Sequence, residues 1–398
     1  MPNLKKQLKE HFGYDTFRPH QEEIIRSILN GNDTLALLPT GGGKSLCYQL
    51  PAMMFQGMTV VVSPLISLMK DQVMSLKKIN LPAAFLNSSI GKKEERLVMS
   101  AVDNNEVKLL YVAPERLMKP DFLGFMADKN ISLIAIDEAH CISEWGHDFR
   151  PEYRNLYTIR QHWSGVPVIA LTATATRKVR EDIVRQLAFS GHGSFTGSFD
   201  RPNLYYEMRA KDNAYYDIVD YIERHKKSSG IIYCHSRASA ERVAQDLTAD
   251  GIDALPYHAG LTTKERAHHQ ELFMNGGVRV ITATIAFGMG IDKPDIRFVF
   301  HYDLPKNIEG YYQETGRAGR DGKPSDCILF YSPRDLMKHQ YFIDKMENRH
   351  RAAVCESQLR AIATFCTSYR CRRAMMLQYF GEQPKSSNCG NCDICSPR

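Results

Sequence analysis

Short, nearly continuous apolar runs alternate along most of the chain with longer stretches whose apolar residues recur at helical spacing. That alternation predicts parallel strands connected by helices, because a strand covered on both faces has no polar side to show. In the first half it places strands at Thr34–Leu38, Thr59–Ser63, Lys108–Val112, Leu133–Ile136 and Val168–Leu171. A second series follows at Gly230–Cys234, Ala254–His258, Val278–Thr282, Arg297–Tyr302 and Cys327–Tyr331. Between the two lies Gly191–Asn203, GHGSFTGSFDRPN, whose Gly, Ser and Pro content reads as a linker. From about Ser332 the strand pattern stops and helical spacing runs on to a cysteine cluster. The expectation is an α/β chain of two parallel-sheet lobes and a small helical tail, divided as 1–200, 201–334 and 335–398.

Composition narrows the class. A chain of 398 residues with 43% hydrophobic and 24% charged residues has ample material for folded cores, which excludes disordered and fibrous classes. No apolar run approaches the ~18 residues of a membrane span. The N-terminus, MPNLKKQLKEHF, has no apolar signal core, so a cytoplasmic protein is expected, without membrane partners. A net charge of +6 permits nucleic acid but does not demand it. Four of those six charges sit in residues 351–398, which hold seven Lys and Arg against three Asp and Glu. Of ten cysteines, Cys47, Cys141, Cys234 and Cys327 are scattered through apolar elements, while Cys355, Cys366, Cys371, Cys389, Cys392 and Cys395 crowd the tail.

The first strand runs into Pro39-Thr40-Gly41-Gly42-Gly43-Lys44-Ser45 and then a helix. Glycines let backbone amides curl around phosphate oxygens, and the helix N-terminus adds its dipole. Lys44 would reach the terminal phosphates and the Ser45 hydroxyl a magnesium ion. One departure stands out: Leu38 occupies a position where the usual pattern has a small residue. Downstream, the strand ending at Ile136 delivers Asp137-Glu138-Ala139-His140. Asp137 would hold magnesium through water, and Glu138 would orient and deprotonate the attacking water. Taken alone, either motif could be a glycine-rich turn or a polar strand end.

Together these residues resemble the superfamily-two helicases, and specifically the RecQ family. The resemblance extends to FGYDTFRPHQ (12–21), SPLISLMKDQV (63–73), APERL (113–117), CISEWGHDFRPEY (141–153), LTATAT (171–176), IIYCHSR (231–237), YHAGL (257–261), ATIAFGMGIDKP (283–294), YYQETGRAGRDG (311–322) and CRR…YFGE…CGNCDIC (371–395). It implies two RecA-like lobes with an ATP cleft between them and a small helical zinc-binding domain. Tyr14, Arg18 and Gln21 fall in the segment that holds adenine. Gln313, Arg317 and Arg320 fall in the motif that faces ATP from the second lobe. Arg317 and Arg320, read as i, i+3 on one helical face, would both point into the cleft, and either could be the arginine finger.

Trp145, His147, Phe149, Arg150 and Tyr153 offer rings for bases and a cation for phosphate, as a loop that senses single-stranded DNA requires. Phe149 could equally anchor that loop. Ser63, Thr172, Thr174 and Thr282 lie where strands end and could grip successive phosphates; Thr172 and Thr174 match the segment that couples the ATP and DNA sites.

Cys371, Cys389, Cys392 and Cys395 give C-x17-C-x2-C-x2-C, the spacing of a closed tetrahedral zinc site, with disulfides or an iron–sulfur cluster as the alternatives. Cys355 and Cys366 sit in apolar helical spacing and read as core. Four thiolates and one zinc ion would lower the tail from +4 to about +2.

The reading is an ATP-dependent 3′→5′ DNA helicase, a DNA-repair and recombination enzyme using ATP, Mg2+ and Zn2+ in the bacterial nucleoid. Single-stranded DNA and tailed or forked duplexes are its expected substrates, a single-strand-binding protein a candidate partner, and a monomer its expected state. RecQ relatives usually continue into a winged-helix domain that this sequence lacks. The alternatives are therefore a DNA-stimulated translocase that remodels protein–DNA complexes without strand separation, and a zinc-stabilised DNA-structure binder with a vestigial motor.

Overall fold

The alternating pattern folds into two separate sheets. The computed structural model describes residues 3–288, 291 and 293–398, which form two units, Met1–Ser198 and Phe199–Arg398. Among the described residues of the first unit the strands are β1 (Thr34–Leu37), β2 (Met58–Val62), β3 (Ala83–Leu86), β4 (Leu109–Val112), β5 (Ile131–Ile136), β6 (Val168–Thr172) and β7 (Gly193–Thr196). They lie in the order β3-β4-β2-β5-β6-β1-β7, all neighbours parallel. β1, β2 and β4 are buried along their whole length, as apolar runs covered by helices must be. Ile24, Ile25 and Ile28 of the helix Gln21–Leu29 are fully buried, each stabilising the unit by roughly 1.5–3 kcal/mol.

Two strands here are not among the expected ones. β3 is four residues long and half-buried at the sheet edge. β7, GSFT, lies inside the expected linker and pairs with β1 at the other edge, its burial alternating along the strand. The linker therefore shrinks to the residues beyond β7, and the unit boundary falls after Ser198.

The second unit holds β8 (Leu204–Ala210), β9 (Ser229–Tyr233), β10 (Ala254–Tyr257), β11 (Val280–Ala283), β12 (Ile296–His301) and β13 (Ser325–Tyr331). These form a parallel sheet in the order β10-β11-β9-β12-β13-β8. β8 is not among the expected strands because only its first half is buried. On one face Tyr221, Phe298, Phe300 and Phe330 pack edge-to-face, and a side chain at Gly230 would collide with the Phe298 ring.

The tail packs in the same unit as helices Pro333–Asp344, Arg349–Thr367 and Arg372–Tyr379, followed by a cysteine knuckle. The knuckle covers the outer edge of β8. Cys392 bridges Tyr206, the Asp393 N–H donates to the Tyr206 carbonyl (3.0 Å), and the Asp393 carboxylate accepts from the Met208 N–H (3.0 Å). Backbone groups that would otherwise line an open edge are thereby paired. No described helix is long and apolar enough to cross a membrane.

Candidate functional site

In a parallel sheet the C-terminal strand ends share one rim, and β6 lies between β5 and β1. The segments after β1, β5 and β6 are therefore neighbours. Thr40–Ser45 joins β1 to the helix Leu46–Met54. Gly41 and Gly43 adopt φ of 80° and 74°, open to glycine and costly for other residues. Leu38 prolongs β1: its N–H donates to the Thr172 carbonyl (3.1 Å) and its side chain is buried, so the departure from the usual pattern serves the core.

Arg18 and Gln21 hold this loop. The Gln21 amide accepts from the Arg18 N–H (2.8 Å) and donates to the Gly43 carbonyl (3.0 Å), while the Arg18 guanidinium bonds the Gly41 carbonyl. Gln21 is buried and Tyr14 is exposed. Arg18 and Gln21, expected at adenine, thus also hold the phosphate loop.

Asp137 and Glu138 follow β5, both buried, and Glu138 takes a left-handed φ of 48°, a conformation that non-glycine residues rarely hold without being over-determined by their surroundings. The Tyr153 hydroxyl pins the turn by donating to the Asp137 carbonyl (3.1 Å). Burial, joined by the Glu138 charge, pushes the Asp137 carboxyl up to about 7 against the pull of Lys44. Burial would raise Glu138 as well, yet His140 and Lys44 drive it down to about 2. The pair is split, with Glu138 held ionised as a hydrogen-bond acceptor.

His140 is the junction. Its Nδ1 lies 2.9 Å from the Thr172 hydroxyl and 3.3 Å from the Glu138 carboxylate, and its ring stacks on His147 at 4.3 Å. Burial alone would lower it; Cys141 and Glu138 beside it push it up to about 10. His147 belongs to the loop after β5, where the Lys178 ammonium sits 2.9 Å from the centre of the Trp145 ring. Arg150 donates to the Pro64 carbonyl (3.0 Å) and pairs with Asp148 (3.1 Å). Phe149 is half-buried under Arg154, whose guanidinium lies 6.0 Å from the ring centre.

The strand-end hydroxyls differ from expectation. Ser63, Thr172, Thr174 and Thr282 are all buried, at 1% exposure or less. Thr172 engages His140, and Thr282 donates to the Ala240 carbonyl (2.7 Å). As placed, the Thr172 and Thr282 hydroxyls bond protein, while the buried Ser63 hydroxyl has no hydrogen-bond partner among the described residues.

Gln313, Arg317 and Arg320 lie in the second unit. The helix Ile308–Thr315 ends before either arginine, so they sit in the following turn rather than on one helical face; Gly319, at φ 56°, lets the chain reverse there. Arg317 is buried at 4% exposure. The sequence reading missed the residues that hold this turn, Arg201 and Asn203 of the DRPN segment, which bond its carbonyls. Their polarity beside an otherwise small-residue linker was the available signal. Of the matched stretch 283–294, Met289, Gly290 and Asp292 lie outside the described residues.

In the tail, one ligand atom each from Cys371, Cys389, Cys392 and Cys395 come within 4.8 Å of one another. Four thiolates at ~2.3 Å from a zinc ion would stand about 3.8 Å apart, so the cluster fits the ion after small inward shifts. Cys371 and Cys389 sulfurs also accept backbone N–H bonds from Ala374 and Asn391, both at 3.4 Å. Cys366 is buried and Cys355 half-buried on the helix Arg349–Thr367, apart from the cluster.

Three family models match: DEAD/DEAH box helicase over residues 18–183, helicase conserved C-terminal domain over 211–322, and RecQ zinc-binding over 333–396. The ATP-dependent DNA helicase RecQ of Haemophilus influenzae is 46% identical over 99% of this chain, and the chain spans 64% of that relative's length. A protein of Acanthamoeba polyphaga mimivirus, named as an ATP-dependent RNA helicase, is 43% identical over 98% of the chain and 72% of its own length. Saccharomyces cerevisiae Dbp5 bound to RNA and ADP BeF3 shares the fold at a TM-score of 0.68 and 17% identity, over 90% of this chain and 97% of that one. Paired helicase lobes are common to many families. The third match is not, and since it falls on the segment that carries the four thiols, the chain belongs to the RecQ family of helicases.

Proposed function

We propose that the chain is an ATP-dependent DNA helicase that moves 3′→5′ on single-stranded DNA and opens duplexes, in recombination and repair. One observation carries the coupling: His140 touches Glu138, Thr172 and His147 at once. A base stacked on the Trp145 loop would shift His147, and that shift reaches the carboxylate beside the phosphate loop. DNA-stimulated hydrolysis follows from such a chain of contacts.

Within this reading Lys44 meets the terminal phosphates, Glu138 orients the attacking water, and Gln313, Arg317 and Arg320 act on the same nucleotide, one arginine as the finger. Tyr14, with Arg18 and Gln21 behind it, flanks the base. Ser45 and Asp137 would hold magnesium, which supplies positive charge to the phosphates when bound. Cys371, Cys389, Cys392 and Cys395 would hold zinc, which supplies a fixed cross-link. Trp145, His147, Phe149 and Arg150 meet DNA. At Ser63, Thr172, Thr174 and Thr282 the backbone, not the hydroxyl, would face phosphate. We read the chain as 1–200, 201–334 and 335–398, acting as a monomer in the cytoplasm, at the nucleoid, with single-stranded and tailed or forked DNA and a single-strand-binding protein as partners.

The test is hydrolysis with and without single-stranded DNA, alongside unwinding of 3′-tailed, 5′-tailed and forked duplexes, with RNA strands as a parallel arm. Stimulation by DNA and opening of 3′-tailed duplexes, both lost in Lys44→Ala, is expected. No stimulation would overturn the motor reading; stimulation without opening would leave a translocase. Equal activity on RNA would overturn the assignment to DNA.

A further inference from the structure

The turn after the helix Ile308–Thr315 carries Arg317 and Arg320, and it is held from outside by one guanidinium. Arg201 donates to the carbonyls of Gly316 (3.1 Å), Ala318 (2.8 Å) and Gly319 (3.2 Å). Asn203 adds bonds to the carbonyls of Gly319 (2.8 Å) and Lys323 (3.0 Å). The packing is close: a side chain at Gly319 would collide with the Asn203 amide.

What fixes Arg201 comes from the thiol-bearing tail. Arg373, two residues past Cys371 and 7% exposed, donates to Asp200 (2.7 Å) and to the carbonyls of Arg201 (2.6 Å) and Leu204 (2.6 Å). Asn391, between Cys389 and Cys392, donates to the carbonyls of Pro202 (3.0 Å) and Leu204 (3.1 Å). The Phe199 ring stacks on Phe380 at 4.5 Å, and its N–H donates to Glu382 (2.7 Å). Residues 199–204 are therefore clamped by the tail on one side and bonded to the arginine turn on the other.

We propose that Arg201 and Arg373 are positioning residues for the arginine turn: the thiol cluster places Arg373, Arg373 places residues 200–204, and Arg201 places Arg317 and Arg320. The proposal rests on the proposed role of one of those arginines at the nucleotide. Its physical basis is geometric. Two guanidinium nitrogens of Arg201 meet three carbonyls, an arrangement that the single ammonium of lysine cannot reproduce although it keeps the charge. A displacement of about 1 Å at a group that must meet a transferring phosphoryl costs about 100-fold in rate.

Arg201→Lys and Arg373→Lys separate charge from placement. In DNA-saturated hydrolysis, kcat should fall by about 10-fold or more, while KM for ATP and affinity for a fluorescent ATP analogue stay near wild type. The decisive readout is a double-mutant cycle read by single-turnover hydrolysis of radiolabelled ATP. In whichever of Arg317→Ala or Arg320→Ala removes hydrolysis, adding Arg201→Lys should cost nothing more, since a residue acting only through that arginine has nothing left to place. A wild-type kcat in both lysine variants, or a full further loss in the double mutant, would overturn the proposal. Should Arg201→Lys fail to fold, Asn203→Ala loosens the same turn and must give the same pattern at smaller amplitude. If neither Arg317→Ala nor Arg320→Ala lowers hydrolysis, the assignment of the finger has failed instead.

Discussion

Lys211 sits where β8 ends, between two buried carboxylates: its ammonium is 2.5 Å from Asp303 and 2.8 Å from Asp335, with side-chain exposures of 17%, 9% and 3%. Replacing it by methionine keeps the length and removes the charge. Breaking a buried pair by deleting one partner costs about 3–5 kcal/mol, mostly through the charge left behind. The lower figure applies here, because Lys338 remains 2.8 Å from Asp335 and 3.7 Å from Asp303, and the His235 N–H still donates to Asp303 (2.8 Å). For a unit running from Phe199 to Arg398, about 3 kcal/mol corresponds to a fall in melting temperature of roughly 6–12 °C at pH 7. The pH dependence fixes the cause. Burial works to raise the Asp303 carboxyl, but Lys211 and the His235 N–H hold it below its ordinary range. A depressed carboxyl contributes stability that is present above about pH 4 and lost as pH falls through its folded value. Lys211→Met should therefore lie furthest below wild type at pH 7, with the gap closing below about pH 4. His235 and His339, both held low by burial, titrate in both proteins, so the gap and not the absolute melting temperature is the measure. Differential scanning calorimetry across that range decides it. A gap under about 2 °C at pH 7, or one that persists unchanged at low pH, would refute the reasoning.

Gly43→Ala places a side chain at φ 74° and against the Gln21 amide, so affinity for a fluorescent nucleotide should drop by about 10-fold or more; unchanged affinity would show that the loop does not need this conformation. Lys178→Ala uncovers the Trp145 ring, and because the only other tryptophan, Trp163, is buried, iodide should quench the variant's emission more strongly than wild type. Cys392→Ser removes a fully buried sulfur and should lower bound zinc from one ion per chain toward none and reduce the melting temperature; full zinc with unchanged melting would exclude Cys392 as a ligand.

Most strands legible in the sequence are buried along nearly their whole length; β10, an edge strand with two half-buried residues, is the exception. β1, β2 and β4 announce themselves as apolar runs because helices cover both faces. β7 and β8 do not, having one face or one end in solvent, while β3, AAFL, is apolar but only four residues long and half-buried. Among candidate site residues, the segments were legible and the roles less so. GGGKS and DEAH fall on neighbouring strand ends, but nothing in the letters tells that Arg18 and Gln21 bond the phosphate loop, since those bonds span about twenty residues of chain. Arg317 and Arg320 read as one helical face because three-residue spacing is helical by default; Gly319 at positive φ ends that default. Ser63, Thr172, Thr174 and Thr282 read as surface groups because hydroxyls at strand ends usually are, whereas here each lies below the rim.

Those departures share a direction. Arg18 and Gln21 turn to Gly41 and Gly43, Thr172 to His140, His140 to His147, and Arg150 to the carbonyl of Pro64, so polar side chains of one motif bond another motif of the same unit. Such wiring has a measurable consequence. If a residue bound only its ligand, its deletion would weaken that ligand alone and would add to deletions elsewhere. A residue that holds a second motif must instead move both sites when removed, and two residues on the same path must be non-additive. His140→Ala should thus depress basal hydrolysis through Glu138 and DNA stimulation through His147 together, and His147→Ala added to it should cost little more. Additive losses would mean that the loop after β5 reports to the carboxylates by a route other than His140.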